Sequence, residues 1–153
     1  MIFVTVGTTM PFDKLIYRID ELKGENFIKE DVVCQIGNGK YIPVNCEYFR
    51  FKPSIEEHID NASLIIAHGG TGTVFSLLAK DKPFIIVTND AADGNHQVDF
   101  LDRLSQDVSI NYLSDLSLLD QVLKDAFNSP FNVAAMELPS LSHDLIKYIN
   151  EIS

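Results

Sequence analysis

Two short runs hold the residue types that could do chemistry. The first is His68-Gly69-Gly70-Thr71-Gly72-Thr73, set between an apolar run and a helical stripe. Glycines let a backbone approach a ligand, and Thr71 and Thr73 bring hydroxyls and amides to a helix start. The run therefore reads as a cradle for a phosphate or diphosphate. The competing reading is a tight turn needing positive φ, with threonine as an ordinary N-cap. Three glycines behind a histidine favour the anion. His68 can donate to a phosphate or sugar oxygen, or it can be a hydrogen-bonded structural histidine. Its place at the cradle favours ligand contact.

The second run is Asn95-His96-Gln97, just after Asp90 and Asp93. Amides and imidazole both donate and accept, so they can read hydroxyls. Read as structure alone, Asp93 or Asn95 caps a helix and His96 and Gln97 are solvated. One loop from the cradle, the three read as sugar-binding. A metal site from His68, His96, Asp90 and Asp93 is not required by the spacing, so no metal and no cofactor is expected. Gln35 to Gly39 ends a strand, where it could contact a nucleobase or simply turn. Asp13, at a helix start, reads as a cap rather than a base. Tyr41, Tyr48 and the ten phenylalanines are expected mostly in the core.

Strands alternating with helices must position these runs. Ile2 to Val6 reads as a buried strand; the spacing of Phe12, Leu15, Ile16, Ile19 and Leu22 predicts a helix stopped by Gly24. Asp31 to Ile36 and Glu47 to Phe51 read as strands. Ser54, with Glu57 three residues on, reads as a capping box opening a short helix whose Ile55 and Ile59 face inward. Ser63 to Ala67 reads as a strand before a helix from about Thr73 to Lys80. Phe84 to Val87 is another strand, and Asn95 starts a helix with Val98, Leu101 and Leu104 inward. Val108 to Asn111 reads as a last strand, Asp115 to Phe127 as a helix, and Leu138 to Ile152 as a closing amphipathic helix. Such alternation implies an α/β, Rossmann-like domain, one parallel sheet flanked by helices, over residues 1–153. Ligands then bind beyond the carboxyl ends of the strands. Seven of the eight glycines fall in loops there; Gly24 alone lies elsewhere.

Charge and composition narrow the function. The 153 residues carry 22 acidic and 12 basic side chains, a formal charge of −10 that repels a polyanion and argues against nucleic acid. A small anion is not excluded, because helix amides bind phosphate without lysine. Cys34 and Cys46 give no disulfide framework, and Cys34 reads as a core residue. No apolar run reaches membrane-spanning length and no basic region precedes the first strand, so a cytoplasmic location is expected. The cradle is not a Walker A loop, since no Gly-Lys-Ser/Thr follows. Gly7-Thr8-Thr9 lacks the later glycines of the dinucleotide fingerprint, which disfavours nicotinamide cofactors.

Val4-Thr5-Val6-Gly7-Thr8-Thr9, Ala67-His68-Gly69-Gly70-Thr71-Gly72-Thr73, Lys82-Pro83 and Asn95-His96-Gln97 occur in that order, each at an element end. Together they resemble family 28 glycosyltransferases, and most of all stand-alone versions of their C-terminal half. These include the donor-binding subunits of two-part transferases acting in dolichol-linked oligosaccharide, capsule and exopolysaccharide synthesis. The resemblance spans roughly residues 1–104. It implies a GT-B C-terminal half and a UDP-sugar donor, with the Gly69 to Thr73 turn on the diphosphate and Gly7, Thr8 and Thr9 lining the same cleft. It further implies donor-sugar contact by Gln97, with Asn95 and His96. In many relatives a glutamate on the helix after the turn holds the ribose, and the matching position here is Ser76. Gln35, Gly37 and Ser76 thus form the expected nucleoside end.

The same resemblance implies a second, membrane-associated subunit that presents a lipid-linked acceptor and recruits this chain to the membrane's cytoplasmic face. The expected activity is hexosyl or N-acetylhexosaminyl transfer, dependent on that partner, with a homodimer plausible when the chain is isolated. The alternatives are a non-catalytic nucleotide-sugar-binding or interaction subunit, and a UDP-sugar epimerase or hydrolase. Part of the partner contact would come from Leu138, Leu141, Leu145, Ile146, Ile149 and Ile152, which can equally pack on their own sheet.

Overall fold

A computed structural model describes residues 1–7, 10–80, 82–89, 96–108, 110 and 112–128, with the backbone but not the side chain of His96. Thr8, Thr9, Asp90, Asp93, Asn95 and the expected closing helix at 138–152 lie outside them. Six strands, β1 (Ile2–Thr5), β2 (Val32–Gln35), β3 (Glu47–Phe49), β4 (Leu64–His68), β5 (Phe84–Val87) and β6 (Tyr112–Leu113), form one sheet in the order β3-β2-β1-β4-β5-β6. Every pairing is parallel. The chain steps outward from β1 in one direction and from β4 in the other, so the order reverses between those two strands. A crevice must open beyond their carboxyl ends, where the connections part.

Alternation of side chains through the strands makes two cores. Ile2, Val4, Cys34, Ile66, Ile85 and Val87 face α1 (Asp13–Gly24) and α5 (Leu119–Asn128). Phe3, Val33, Ile65, Ala67, Phe84 and Ile86 face α2 (Glu56–Asn61), α3 (Thr71–Leu78) and α4 (His96–Leu104). Strands apolar on both faces are what a sheet covered by helices on both sides requires. Each fully buried Ile or Leu contributes about 1.5–3 kcal/mol.

Several boundaries differ from the sequence reading, each for a local reason. The last strand is Tyr112–Leu113, not Val108 to Asn111, because the Val108 amide is taken by Leu104 O in the turn that ends α4. The expected helix from Asp115 opens as a 3-10 turn, Leu116–Leu118, with the Asp115 carboxylate accepting from Ser117 N at 3.0 Å. No capping box forms at α2. Ser54 Oγ accepts from Glu56 N at 3.2 Å, a local turn that competes with the cap. Tyr48 and Phe51 are exposed rather than in the core: Tyr48 lies on the edge strand β3, and Phe51 lies two residues beyond that strand's end.

The stretch between β2 and β3 has no regular structure and is held instead by two carboxylates of α1. Asp13 accepts from the amides of Lys40 (3.1 Å) and Tyr41 (3.3 Å). Asp20, 1% exposed, accepts from Val44 N (3.0 Å), Asn45 N (2.7 Å) and the Tyr41 hydroxyl. Burial opposes the charge on Asp20, but the hydrogen bonds from Tyr41, Val44, Asn45 and Cys46 outweigh it and hold the carboxyl below its ordinary range. The same contact pushes the Tyr41 hydroxyl up to about 12.

Candidate functional site

At the β1/β4 switch lies a cleft of about 510 Å³, lined by Thr5, Gly7, Gln35, residues 52–56, His68, Gly70, Thr71, Gly72 and Thr73. One wall is the start of α3. Gly70, at φ −65° and ψ 137°, is its N-cap, and no side chain caps it. Helix geometry leaves the first-turn amides without intrahelical partners, and the helix dipole adds partial positive charge there. The first turn carries no acidic residue. The helix begins at Thr71, two residues before the sequence reading, so Thr71, Gly72 and Thr73 together form the open first turn.

The glycines of the run do three different jobs. A Cβ on Gly69 would lie 2.8 Å from Gln97 Oε1, so this glycine lets α4 close in. A Cβ on Gly70 would fall on the imidazole of His68. One on Gly7, whose φ is +79°, would strike the same ring at Nε2. Only Gly72 has nothing within 4 Å of the Cβ it lacks, and so faces open cleft. The sequence reading took all of them as room for a ligand. Two of those positions make room for neighbouring side chains of the protein itself.

His68 sits between Gly7 and Gly70 with both ring nitrogens engaged. Nδ1 accepts the Gly70 amide at 3.2 Å, and Nε2 lies 3.0 Å from Thr73 Oγ1. Burial alone pushes its pKa below the ordinary value of 6.5, favouring the neutral ring. An accepting Nδ1 puts the remaining proton on Nε2, which therefore donates to Thr73.

Across the cleft, Thr5 and Gln35 are register partners on β1 and β2. Both are buried, at 1% and 3% exposure, and the Thr5 hydroxyl donates to Gln35 Oε1 at 2.5 Å. That leaves the Gln35 amide nitrogen as a donor on the cleft wall. The far end is the segment entering α2. There Lys52, the single lysine or arginine among the described lining residues, lies 2.9 Å from His58 Nε2 and over the Phe49 ring. Glu56 is paired with Lys80.

The other expected site residues fall around this cleft. Gly37, at φ +57°, turns the chain beside Gly7, its carbonyl accepting from Arg50, and does not line the cleft. Ser76 is exposed one turn along α3, on the face that carries Gly72 and Thr73. Gln97 lies in the first turn of α4, its Oε1 accepting from Asn89 N at 2.8 Å, which ties the end of β5 to that helix. His96 opens the same helix. Thr5 and residues 52–56 escaped the sequence reading. The rule that ligands sit at carboxyl ends applies to the segment after β3 as well, and would have found them. Among the described residues no group of His, Cys, Asp or Glu could hold a metal ion, and no helix is long and apolar enough to cross a membrane. Concavities of similar size at the amino ends of the strands and along α1 face no open helix start at the switch.

The order 3-2-1-4-5-6 and the open helix start at its switch are common to many nucleotide-binding proteins, so a decision needs the sequence as a whole. The model of the glycosyltransferase family 28 C-terminal domain matches residues 1–147. The chain belongs to that family. A human UDP-N-acetylglucosamine transferase subunit, ALG13, is 34% identical over 122 residues; the match takes in 72% of this chain and 11% of the human protein. The chain thus spans about a tenth of that relative. Among solved structures, the NMR structure of ALG13 has a TM-score of 0.61 at 22% identity, covering 94% of each chain. The glycosyltransferase SnogD from Streptomyces nogalater has a TM-score of 0.61 at 20% identity, covering 99% of this chain and 43% of that one. At these identities the solved structures speak to fold alone, and the fold is the Rossmann-like, C-terminal half of a GT-B glycosyltransferase.

Proposed function

We propose that the chain is the donor-binding subunit of a two-component glycosyltransferase that takes its sugar from UDP-N-acetylglucosamine. The observation that carries this reading is the start of α3: uncapped, free of acidic residues, opening through Gly72 onto the switch crevice. The amides of Thr71, Gly72 and Thr73 would receive the diphosphate. Gln35 and residues 52–56 would hold the nucleoside. Gln97, with Asn95 and His96, would face the sugar, and Thr8 and Thr9 would close the cleft from the β1 side. The nature of the sugar rests on the human relative's name. In the transfer, an acceptor hydroxyl attacks the anomeric carbon, and the bond to the diphosphate oxygen breaks with its electron pair leaving on UDP. Amides already aimed at that oxygen stabilise the growing charge without reorganising.

One observation shapes the division of labour. Among the described groups lining the cleft, His68 uses both nitrogens within the turn, and Glu56 is paired through Oε2 with Lys80 at the cleft's far end. In this reading the base and the lipid-linked acceptor belong to a second, membrane-associated subunit that also brings this chain to the membrane. Calorimetric titration with UDP, UDP-N-acetylglucosamine, UDP-galactose and UDP-glucuronate tests the reading. Binding with preference for the N-acetylglucosamine donor is expected, as is transfer only after the partner is added. A chain that binds none of the four, or one that releases or interconverts the sugar alone, contradicts it.

A further inference from the structure

We propose that His68 is a positioning residue for the donor cradle, a neutral strut that fixes the Gly70 amide and turns the Thr73 hydroxyl toward the cleft, and is not itself a donor ligand. The inference rests on the donor-binding reading and departs from the direct ligand contact that the sequence suggests. Three observations carry it. Both ring nitrogens are already spent inside the turn, on the Gly70 amide and on Thr73 Oγ1. The ring is clasped between two residues that must lack a Cβ, Gly7 on β1's exit and Gly70 at α3's cap. And because Thr73 Oγ1 is the acceptor from Nε2–H, its own proton is left to point elsewhere; no other bond of that hydroxyl occurs among the described residues. Thr73 lines the cleft, so a ligand oxygen there is its acceptor.

The strut works in one protonation state. A second proton would go on Nδ1 and face the Gly70 N–H donor to donor, breaking the bond that sets the cap. Among the described residues, the elements packed on the ring offer Gly7, Gly70 and Thr73, none of them charged, and the charged residues of the same cleft are Lys52, before α2, and Glu56, on α2. Burial is the sole cause acting on His68. Its lowered pKa means the folded ring stays neutral, and the cradle intact, through the ordinary histidine value of about 6.5, and the cradle is lost only as pH falls through the lower folded value.

The test joins a binding cycle to a measurement on the free protein. UDP-N-acetylglucosamine, whose diphosphate has no proton to lose near neutral pH, is titrated against wild type, His68→Ala, Thr73→Val and the double variant. Each single change is expected to weaken binding up to about tenfold, the scale of one net hydrogen bond, and the double variant clearly less than the product of the two. His68→Asn, which restores an acceptor for Gly70, is expected to recover part of the loss. Losses that multiply fully would mean that His68 touches the donor independently, and would overturn the proposal. In the free chain, long-range ¹⁵N correlations of the imidazole are expected to show the Nε2–H tautomer at pH 7.5, with a midpoint below 6.5. An Nδ1–H tautomer overturns the strut even when the donor binds. A wild-type chain that binds no nucleotide overturns the donor reading instead, and the positioning role with it.

Discussion

Helices α1 and α3 start at the same end of the same sheet, next to the crevice, and neither has a side chain capping its first amides. They differ in charge. Helix α1 brings its own anion, Asp13 in its first turn, and that carboxylate also grips the amides of Lys40 and Tyr41. Helix α3 has no acid in its first turn and a glycine facing open space. Equal dipoles need equal compensation. One helix finds it within the chain; the other, in the proposed reading, finds it in a ligand, and that difference singles out α3 more sharply than a count of glycines does.

Reversing the charge at α3 should give the largest effect. Gly72→Asp places an anion where the diphosphate would sit, and is expected to cut UDP affinity at least a hundredfold. Yet the free fold should hold or gain slightly, because a Cβ meets nothing there and an acid suits a first turn worth about 0.3–1 kcal/mol. Urea unfolding beside the titration separates the two. Gly70→Asp is a poorer probe, because its side chain would collide with His68 and confuse folding with binding.

On the α1 side the carboxylates act on stability. Asp20→Asn keeps the shape but turns one of two acceptor oxygens into a donor that must face the N–H of either Val44 or Asn45, and should cost about 2–4 kcal/mol. Because the folded pKa of Asp20 is lowered, its contribution is complete above the ordinary carboxylate value, about 3.9, and fades as pH falls below it. Unfolding curves at pH 7 and pH 3 should therefore show the gap between wild type and Asp20→Asn shrinking on acidification. Asp13→Asn should do less, about 1 kcal/mol, with UDP affinity unchanged within twofold. A large loss of affinity in that variant would mean that α1 shares the anion site.

How much of this was legible in the sequence follows from which interactions are local. The strands β1, β4 and β5 are apolar on both faces, and the short pattern alone marked them; Phe84 to Val87 was placed without error. The glycine-rich turn from β4 into α3 is legible because its glycines and threonines stand in consecutive residues between a strand and a helix. What escaped was set by distant partners. Asp20 reads as one more surface acid on a helix until the chain from Tyr41 to Cys46 folds onto it. The reason for Gly7 is a histidine 61 positions later. Likewise, nothing local to Gln97 shows that its Oε1 accepts from the Asn89 amide beyond the end of β5.

The most direct test of the central claim is an amide ¹H–¹⁵N titration of the chain with UDP-N-acetylglucosamine, comparing the two helix starts in one spectrum. The account predicts large, saturable shifts at Thr71, Gly72 and Thr73, with Asp13 and Lys14 nearly still. Shifts confined to α1, or no shift at Gly72 at saturating donor, would contradict it.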